Sequence, residues 1–309
     1  MRAATGQQFE LTRQNGDRPS RAIITEVAAG LRLLTVDGVP LVETFPEDSP
    51  PPLGCGILLV PWPNRVEDGV WRLDGVRQQL DLSEPDKHNA IHGLLRHTAY
   101  RPLAQTADAV TLAATVFPQH GYPFQLDTTV RYQLVDDGLT VIHGILNVSA
   151  VAAPVAIGAH PYFRIGDVPV ADLTLTLAAD SHFEVDSRLI PIGESPVDGT
   201  DYDFRAGRRV ADLRLDDGFG DVIVQDGISR HTLAAPDGRF VELWQDAEFA
   251  FVQAFTTRAF PGRGLAIAIE PMTAATNAFN SGRGLRWLEP GEEWTVRWGI
   301  RYGVGSEGA

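Results

Sequence analysis

A large antiparallel β-sandwich is the fold this sequence predicts, and three observations predict it. Short runs of period-two alternation recur along the chain, turn signals fall about every eight to twelve residues, and sustained 3.6 periodicity is scarce. With so many strands, a single open sheet would leave an apolar face and its edges bare, so two large packed sheets are the stable solution. No linker, repeat or low-complexity segment divides the 309 residues, and the Pro-rich stretch 46–52 is too short to separate units. One domain over residues 1–309 is expected.

The elements justify this in order. Residues 130–134 and 139–148 flank Asp136-Asp137-Gly138, and residues 231–235 and 239–244 flank Pro236-Asp237-Gly238; both read as hairpins with the usual turn chemistry. At the end of the chain, Trp294, Val296, Trp298, Ile300 and Tyr302 share one face, while Glu293, Thr295, Arg297 and Arg301 take the other. That is a half-buried strand.

Composition narrows the chemistry. A net charge of −14 at pH 7 repels a polyanion, so nucleic acid is not an expected partner. No apolar run approaches the ~20 residues of a membrane-spanning helix, so no membrane partner is expected. Cys55 is the single cysteine, and the start, residues 1–8, lacks the apolar core of a signal peptide, so a cytoplasmic location is expected. Lys87 is the one lysine, which leaves Schiff-base chemistry that residue alone. The Gly-x-x-x-x-Gly-Lys phosphate loop is missing, which removes P-loop nucleotide hydrolysis.

Two segments share a local design that carries chemistry. In Val155-Ala156-Ile157-Gly158-Ala159-His160-Pro161, alternation puts Ala156, Gly158 and His160 on one face, and the proline biases His160 toward an extended backbone. In Leu265-Ala266-Ile267-Ala268-Ile269-Glu270-Pro271, Ala266, Ala268 and Glu270 share a face, with Leu265, Ile267 and Ile269 behind in the core. The small residues beside His160 and Glu270 predict room above the sheet for a ligand, and hence a shallow cavity lined by both. An imidazole and a carboxylate across one cavity are the parts of general acid–base catalysis. Taken singly, His160 reads more readily as a hydrogen-bonded histidine at a strand end, and Glu270 as a solvated or Arg-paired carboxylate, than as catalytic groups; the paired design shifts the balance toward catalysis.

The same residues carry a family resemblance. Asn64-Arg65, Gly69-Val70-Trp71-Arg72-Leu73-Asp74-Gly75, His92-Gly93, His160-Pro161-Tyr162-Phe163 and Glu270-Pro271-Met272 resemble, in order and wide spacing along nearly the whole chain, the motifs of the aldose 1-epimerases, or galactose mutarotases. The resemblance implies a galactose-mutarotase-like β-sandwich, the supersandwich type, that interconverts the α and β anomers of a free sugar without cofactor or metal. It implies His160 as general acid to the ring oxygen and Glu270 as base to the anomeric hydroxyl. Asn64, Arg65, His92, Asp216 and Tyr162 match positions expected to bind and orient the sugar, with Asp217 as the alternative to Asp216.

Trp62, Tyr162 and Trp287 are candidates for an aromatic platform under the sugar ring, with burial in the core the standing alternative for Trp62; Phe163 is expected in the core. The chain departs from the galactose type at His92-Gly93-Leu94-Leu95-Arg96 and in the segment 272–280 after Glu270. Those departures resemble bacterial mutarotase relatives, including the sulfoquinovose type and, as another branch, the hexose 6-phosphate mutarotases. An anionic sugar needs a cationic clamp, for which Arg96, Arg263, Arg283 and Arg286 are the candidates.

Other classes remain open. A non-catalytic carbohydrate-binding protein on the same fold could dispense with the His160 and Glu270 pair. A metal enzyme could use His88, His92 and His97 with Glu84, although Pro85 and Gly93 spoil a helical ligand face. A glycosidase needs a second acid beside Glu270. The expected partner is a small-molecule sugar, and the expected assembly a monomer or homodimer.

Overall fold

The computed structural model describes residues 3–305; Met1 and Arg2 of the expected leaderless start, and residues 306–309 of the expected domain, lie outside the described residues. The chain is almost entirely β, and every ladder between its strands is antiparallel. Two large sheets dominate, one of nine strands and one of eight.

In the nine-stranded sheet, the strands Leu126–Val135 and Gly138–Asn147 form one expected hairpin, and Ile228–Ala234 and Arg239–Asp246 form the other. The final strand, Glu293–Val304, runs between the two hairpins, pairing Val141 with Trp298 on one side and Leu243 with Ile300 on the other. Its alternation is as the sequence predicts: Trp294, Val296, Trp298, Ile300 and Tyr302 are buried, while Glu293, Thr295, Arg297 and Arg301 are exposed.

The eight-stranded sheet carries Glu270 and leads into His160. Its central order runs Ala179–Val185, Asp216–Val222, Phe251–Thr257, Ala266–Met272, Gly158–Ala159 and Leu58–Leu59. Ile267, Ile269, Val252 and Ala254 from this sheet join Trp298, Ile300, Val141 and Leu243 from the other in one continuous core. Each large side chain so buried contributes about 1.5–3 kcal/mol, which fixes the sheet against its partner and leaves its other face to build a site.

Candidate active site

The sequence expectation of empty room above the small residues needs correction. Ala266 and Ala268 do share the face of Glu270, but a second layer of protein, Phe45, Cys55, Tyr162 and Phe260, fills the space over them. Gly158 likewise yields to Pro63, whose Cβ would stand 2.7 Å from a Cβ added at the glycine. Small residues here admit a supporting layer, and the cleft opens only at the end of it.

That end gathers the motif residues. Asn64 adopts a left-handed backbone, with φ of 54°, which Asn tolerates better than most residues. Its Oδ1 accepts from the Arg65 amide at 2.9 Å and from Arg65 Nη1 at 3.3 Å. The short strand Arg65–Glu67 pairs with Asn89–Ile91, placing Arg65 opposite Ile91. The chain then turns back, as the His92 amide donates to Asn64 O at 3.0 Å. Gly93 makes the return possible: φ is 71°, and a Cβ there would lie 2.2 Å from Val60 O.

A cleft of about 60 Å³ results, lined by Asn64, Arg65, Ile91, His92, His160, Asp216, Gln253, Phe255 and Glu270. His160 Nε2 and Glu270 Oε1 face each other at 3.5 Å, longer than a good hydrogen bond. Burial drives His160 down to about 4 and pushes the Glu270 carboxyl well above its ordinary value, with Asp216 adding to the rise and Arg65 opposing it. Both shifts favour the uncharged forms. His92 lies edge-on to His160, 5.4 Å between ring centres, and is also held well below its usual value, first by burial and then by His160 and Arg65.

Arg65 is the fixed cation of the cleft. Glu84 grips it with two contacts, 2.9 Å to Nε and 3.0 Å to Nη2, and Asp216 lies 3.3 Å from Nη2. Gln253 Nε2 donates to the other Asp216 oxygen at 2.8 Å. Nδ1 of His92, Nδ1 of His160, Oε2 of Glu270 and Oε1 of Gln253 are buried and have no protein partner. Each such atom costs on the order of 1–3 kcal/mol unless a ligand satisfies it.

Asp216 therefore lies in the cleft, while Asp217 points to the opposite face of the strand and pairs with His182. Tyr162, expected to bind substrate, does not line the cleft: it is 0% exposed, its ring stacks beneath His160 at 16° and 5.1 Å, and its hydroxyl donates to Leu53 O. It pairs with Ala268 in the sheet, which is why it forms the floor under His160. Trp62 packs in the core against Phe279 and Tyr122, and Phe163 is core as well. Trp287 is exposed and does not line the cleft.

Gln253, Phe255 and Ile91 are cleft residues that sequence reasoning missed. Gln253 lies directly opposite Glu270 in the ladder, and a glutamine inside the apolar run Phe251-Val252-Gln253-Ala254-Phe255 was the available signal. Of the residues considered for a metal, Glu84 pairs with Arg65, and His88 is exposed and pairs with Asp68. Among the described residues no group of three or more His, Cys, Asp or Glu could hold a metal ion. Asp216 is a second carboxylate in the cleft, but Arg65 and Gln253 engage both of its oxygens. Of the candidate clamp arginines, Arg263 pairs with Glu43, Arg283 with Glu194, and Arg286 with Glu248 and Glu292. Arg96 has no carboxylate at ion-pair distance among the described residues, and its charge acts on His92. No helix among the described residues is long and apolar enough to cross a membrane.

Comparison with known proteins adds a lineage to this geometry. The sequence model of the family described as aldose 1-epimerase matches residues 11–301. The uncharacterized protein YihR of Escherichia coli K12 is 34% identical over 273 residues, covering 88% of this chain and 86% of its own. Human galactose mutarotase is 27% identical over 196 residues, 59% of this chain and 56% of its own. Among solved structures, a GalM/aldose epimerase homologue from C. elegans superposes with a TM-score of 0.84 at 18% identity, covering 97% of this chain and 99% of its own. A galactose 1-epimerase from Lactobacillus acidophilus gives 0.76 at 21% identity, with 97% and 99% covered. At these identities the structural likeness speaks for the fold.

Proposed function

The chain belongs to the aldose 1-epimerase family, and from that premise we propose that it interconverts the α and β anomers of a free aldose at His160 and Glu270. The observation that carries this reading is the buried imidazole and carboxylate facing each other at 3.5 Å across a polar cleft. Ring opening transfers a proton from the His160 imidazolium to the ring oxygen as the C1–O5 bond breaks. Glu270 takes the proton of the anomeric hydroxyl, and the C1 carbonyl forms. Rotation about C1–C2 and reclosure reverse both transfers on the other face, so one proton is shared by the pair throughout and no cofactor is consumed.

The electrostatics suit the middle of this cycle. Ring opening leaves a neutral imidazole facing a carboxylic acid, the pair of forms that burial favours for both residues, so the open-chain aldehyde is formed in an environment matched to it. Arg65, with four of its five N–H groups engaged by Glu84, Asp216 and Asn64, offers the remaining Nη1 hydrogen to a sugar hydroxyl, and Asn64, His92 and Gln253 add polar groups around the ring.

Polarimetry of freshly dissolved α-glucose and α-galactose, with Glu270→Gln as control, tests the reading. Faster decay of rotation with the wild type alone is expected; equal decay with the control overturns it. A second reading, a mutarotase of a sugar with an anionic group such as a 6-phosphate or 6-sulfonate, draws on Arg96, whose charge acts on His92 and which has no carboxylate at ion-pair distance among the described residues. Acceleration confined to such sugars, and lost in Arg96→Ala, is the outcome expected of it.

A further inference from the structure

Asp216 and Asp217 are neighbours on the strand Asp216–Val222, yet they serve opposite faces of the sheet. We propose that His182 and Asp217 are positioning residues that hold the backbone of Asp216, and through it Arg65, in register with the sugar; the inference rests on the functional reading above.

The need for such a device follows from the ladder. The neighbouring strand Ala179–Val185 pairs with this one only at residues 219–222, with His182 opposite Phe219, Ser181 opposite Gly220 and Ala179 opposite Val222. On the other side, the Leu215 amide donates to Thr256 Oγ1. Successive amides in a strand point to opposite sides, so the Asp216 amide faces the side where the ladder has already stopped. An unpaired amide at that point would let the strand splay and carry the Asp216 carboxylate with it.

Asp217 closes the gap. Its Oδ2 accepts from the Asp216 amide at 3.0 Å, and its Oδ1 is 2.8 Å from His182 Nε2. Both oxygens are therefore committed, and the carboxylate is nearly buried. His182 is itself immobilised: Tyr202 stacks on its ring, 3.5 Å between centres and 11° between planes, and Phe219 packs against it at 5.4 Å. The chain of contact runs from Tyr202 through His182 and Asp217 to the Asp216 amide. From the Asp216 carboxylate it continues to Arg65 Nη2 and Gln253 Nε2. None of Tyr202, His182 and Asp217 lines the cleft, so their influence on the sugar passes through Asp216.

A double-mutant cycle on the full chain tests this. Asp217→Ala and His182→Ala are expected to raise KM for the aldose by about ten-fold while kcat stays within about three-fold, because a binding contact is loosened and the acid–base pair is untouched. In an Asp216→Ala background, Asp217→Ala is expected to cost less than about two-fold more, since the group it positions is gone. Asp217→Asn, which keeps an acceptor oxygen and the side-chain shape, is expected to recover most of the wild-type KM and also covers the case in which the alanine variant does not fold. Equal KM losses from Asp217→Ala in the two backgrounds, or a fall confined to kcat, overturn the inference while leaving the functional reading standing. A wild type that accelerates mutarotation of no aldose overturns both.

Discussion

His143 and His231 in the nine-stranded sheet, set beside His160, which directly follows the strand Gly158–Ala159 of the eight-stranded one, show what burial of a histidine does and does not accomplish. All three rings are nearly inaccessible, and burial lowers all three, to about 3, about 3 and about 4. All three also leave one ring nitrogen without a partner. The difference lies across the ring. His143 accepts from the Trp298 indole N–H at 2.9 Å and His231 from the Ala178 amide at 3.2 Å, so each neutral ring completes a neutral donor. His160 instead faces a buried carboxyl, with Arg65 in the same cleft. A depressed imidazole and an orphaned nitrogen thus mark burial; the facing acid and the open cleft are what set His160 apart, and they are what the proposed acid–base role draws on.

The largest test of that contrast is catalytic. Glu270→Gln and His160→Ala are each expected to lower kcat/KM by about 10²-fold or more with the fold intact, whereas His143→Gln, which keeps an acceptor for Trp298, should leave it within about two-fold. Comparable losses at His143 and His160, read by polarimetry, would erase the distinction. Next, Arg65→Ala should raise KM by about ten-fold; an unchanged KM means that the cation of the cleft does not bind the sugar.

The third test concerns acid stability. His143 and His231 have folded-state values below the unfolded value of about 6.5, so the unfolded chain binds protons that the folded chain refuses. Their contribution is present above about pH 6.5 and is lost as the pH falls toward about 3, by about 1.4 kcal/mol per pH unit for each histidine. Denaturant titrations at pH 7, 5 and 4 should show a shallower decline for His143→Gln than for the wild type. Identical slopes would mean that this ring is protonated in the fold. The smallest effect is expected of Tyr162→Phe, which keeps the stacking under His160 and loses the bond to Leu53 O; activity should stay within about three-fold, and a loss near that of His160→Ala would give the hydroxyl a role that its burial denies.

Much of the fold was legible because it is written locally. The alternation of the last strand and the two Asp-containing turns specify their elements without reference to anything distant, and the motif order pointed to His160, Glu270, Asn64, Arg65, His92 and Asp216, all of which line one cleft. What sequence could not supply were contacts made across the fold. Glu84 reaches Arg65 over 19 residues, and Gln253 reaches Glu270 through a ladder set by the preceding loop. The space over Ala266 and Ala268 shows the same limit: small side chains announce that something approaches, and only the assembled chain shows that Tyr162, Phe45, Cys55 and Phe260 are what approaches.

That layer has a consequence for measuring the molecule. Cys55 is the single thiol of the chain; it packs beside Tyr162, Ala266 and Ala268, and burial pushes its ionisation far up. A thiol reagent attacks the thiolate of an accessible cysteine, so in native buffer labelling waits for this layer to open. The labelling rate then becomes a clock for excursions of the floor beneath His160. Saturating sugar should slow that clock if the ligand clamps the floor, and a rate indifferent to sugar would place the opening elsewhere in the sheet.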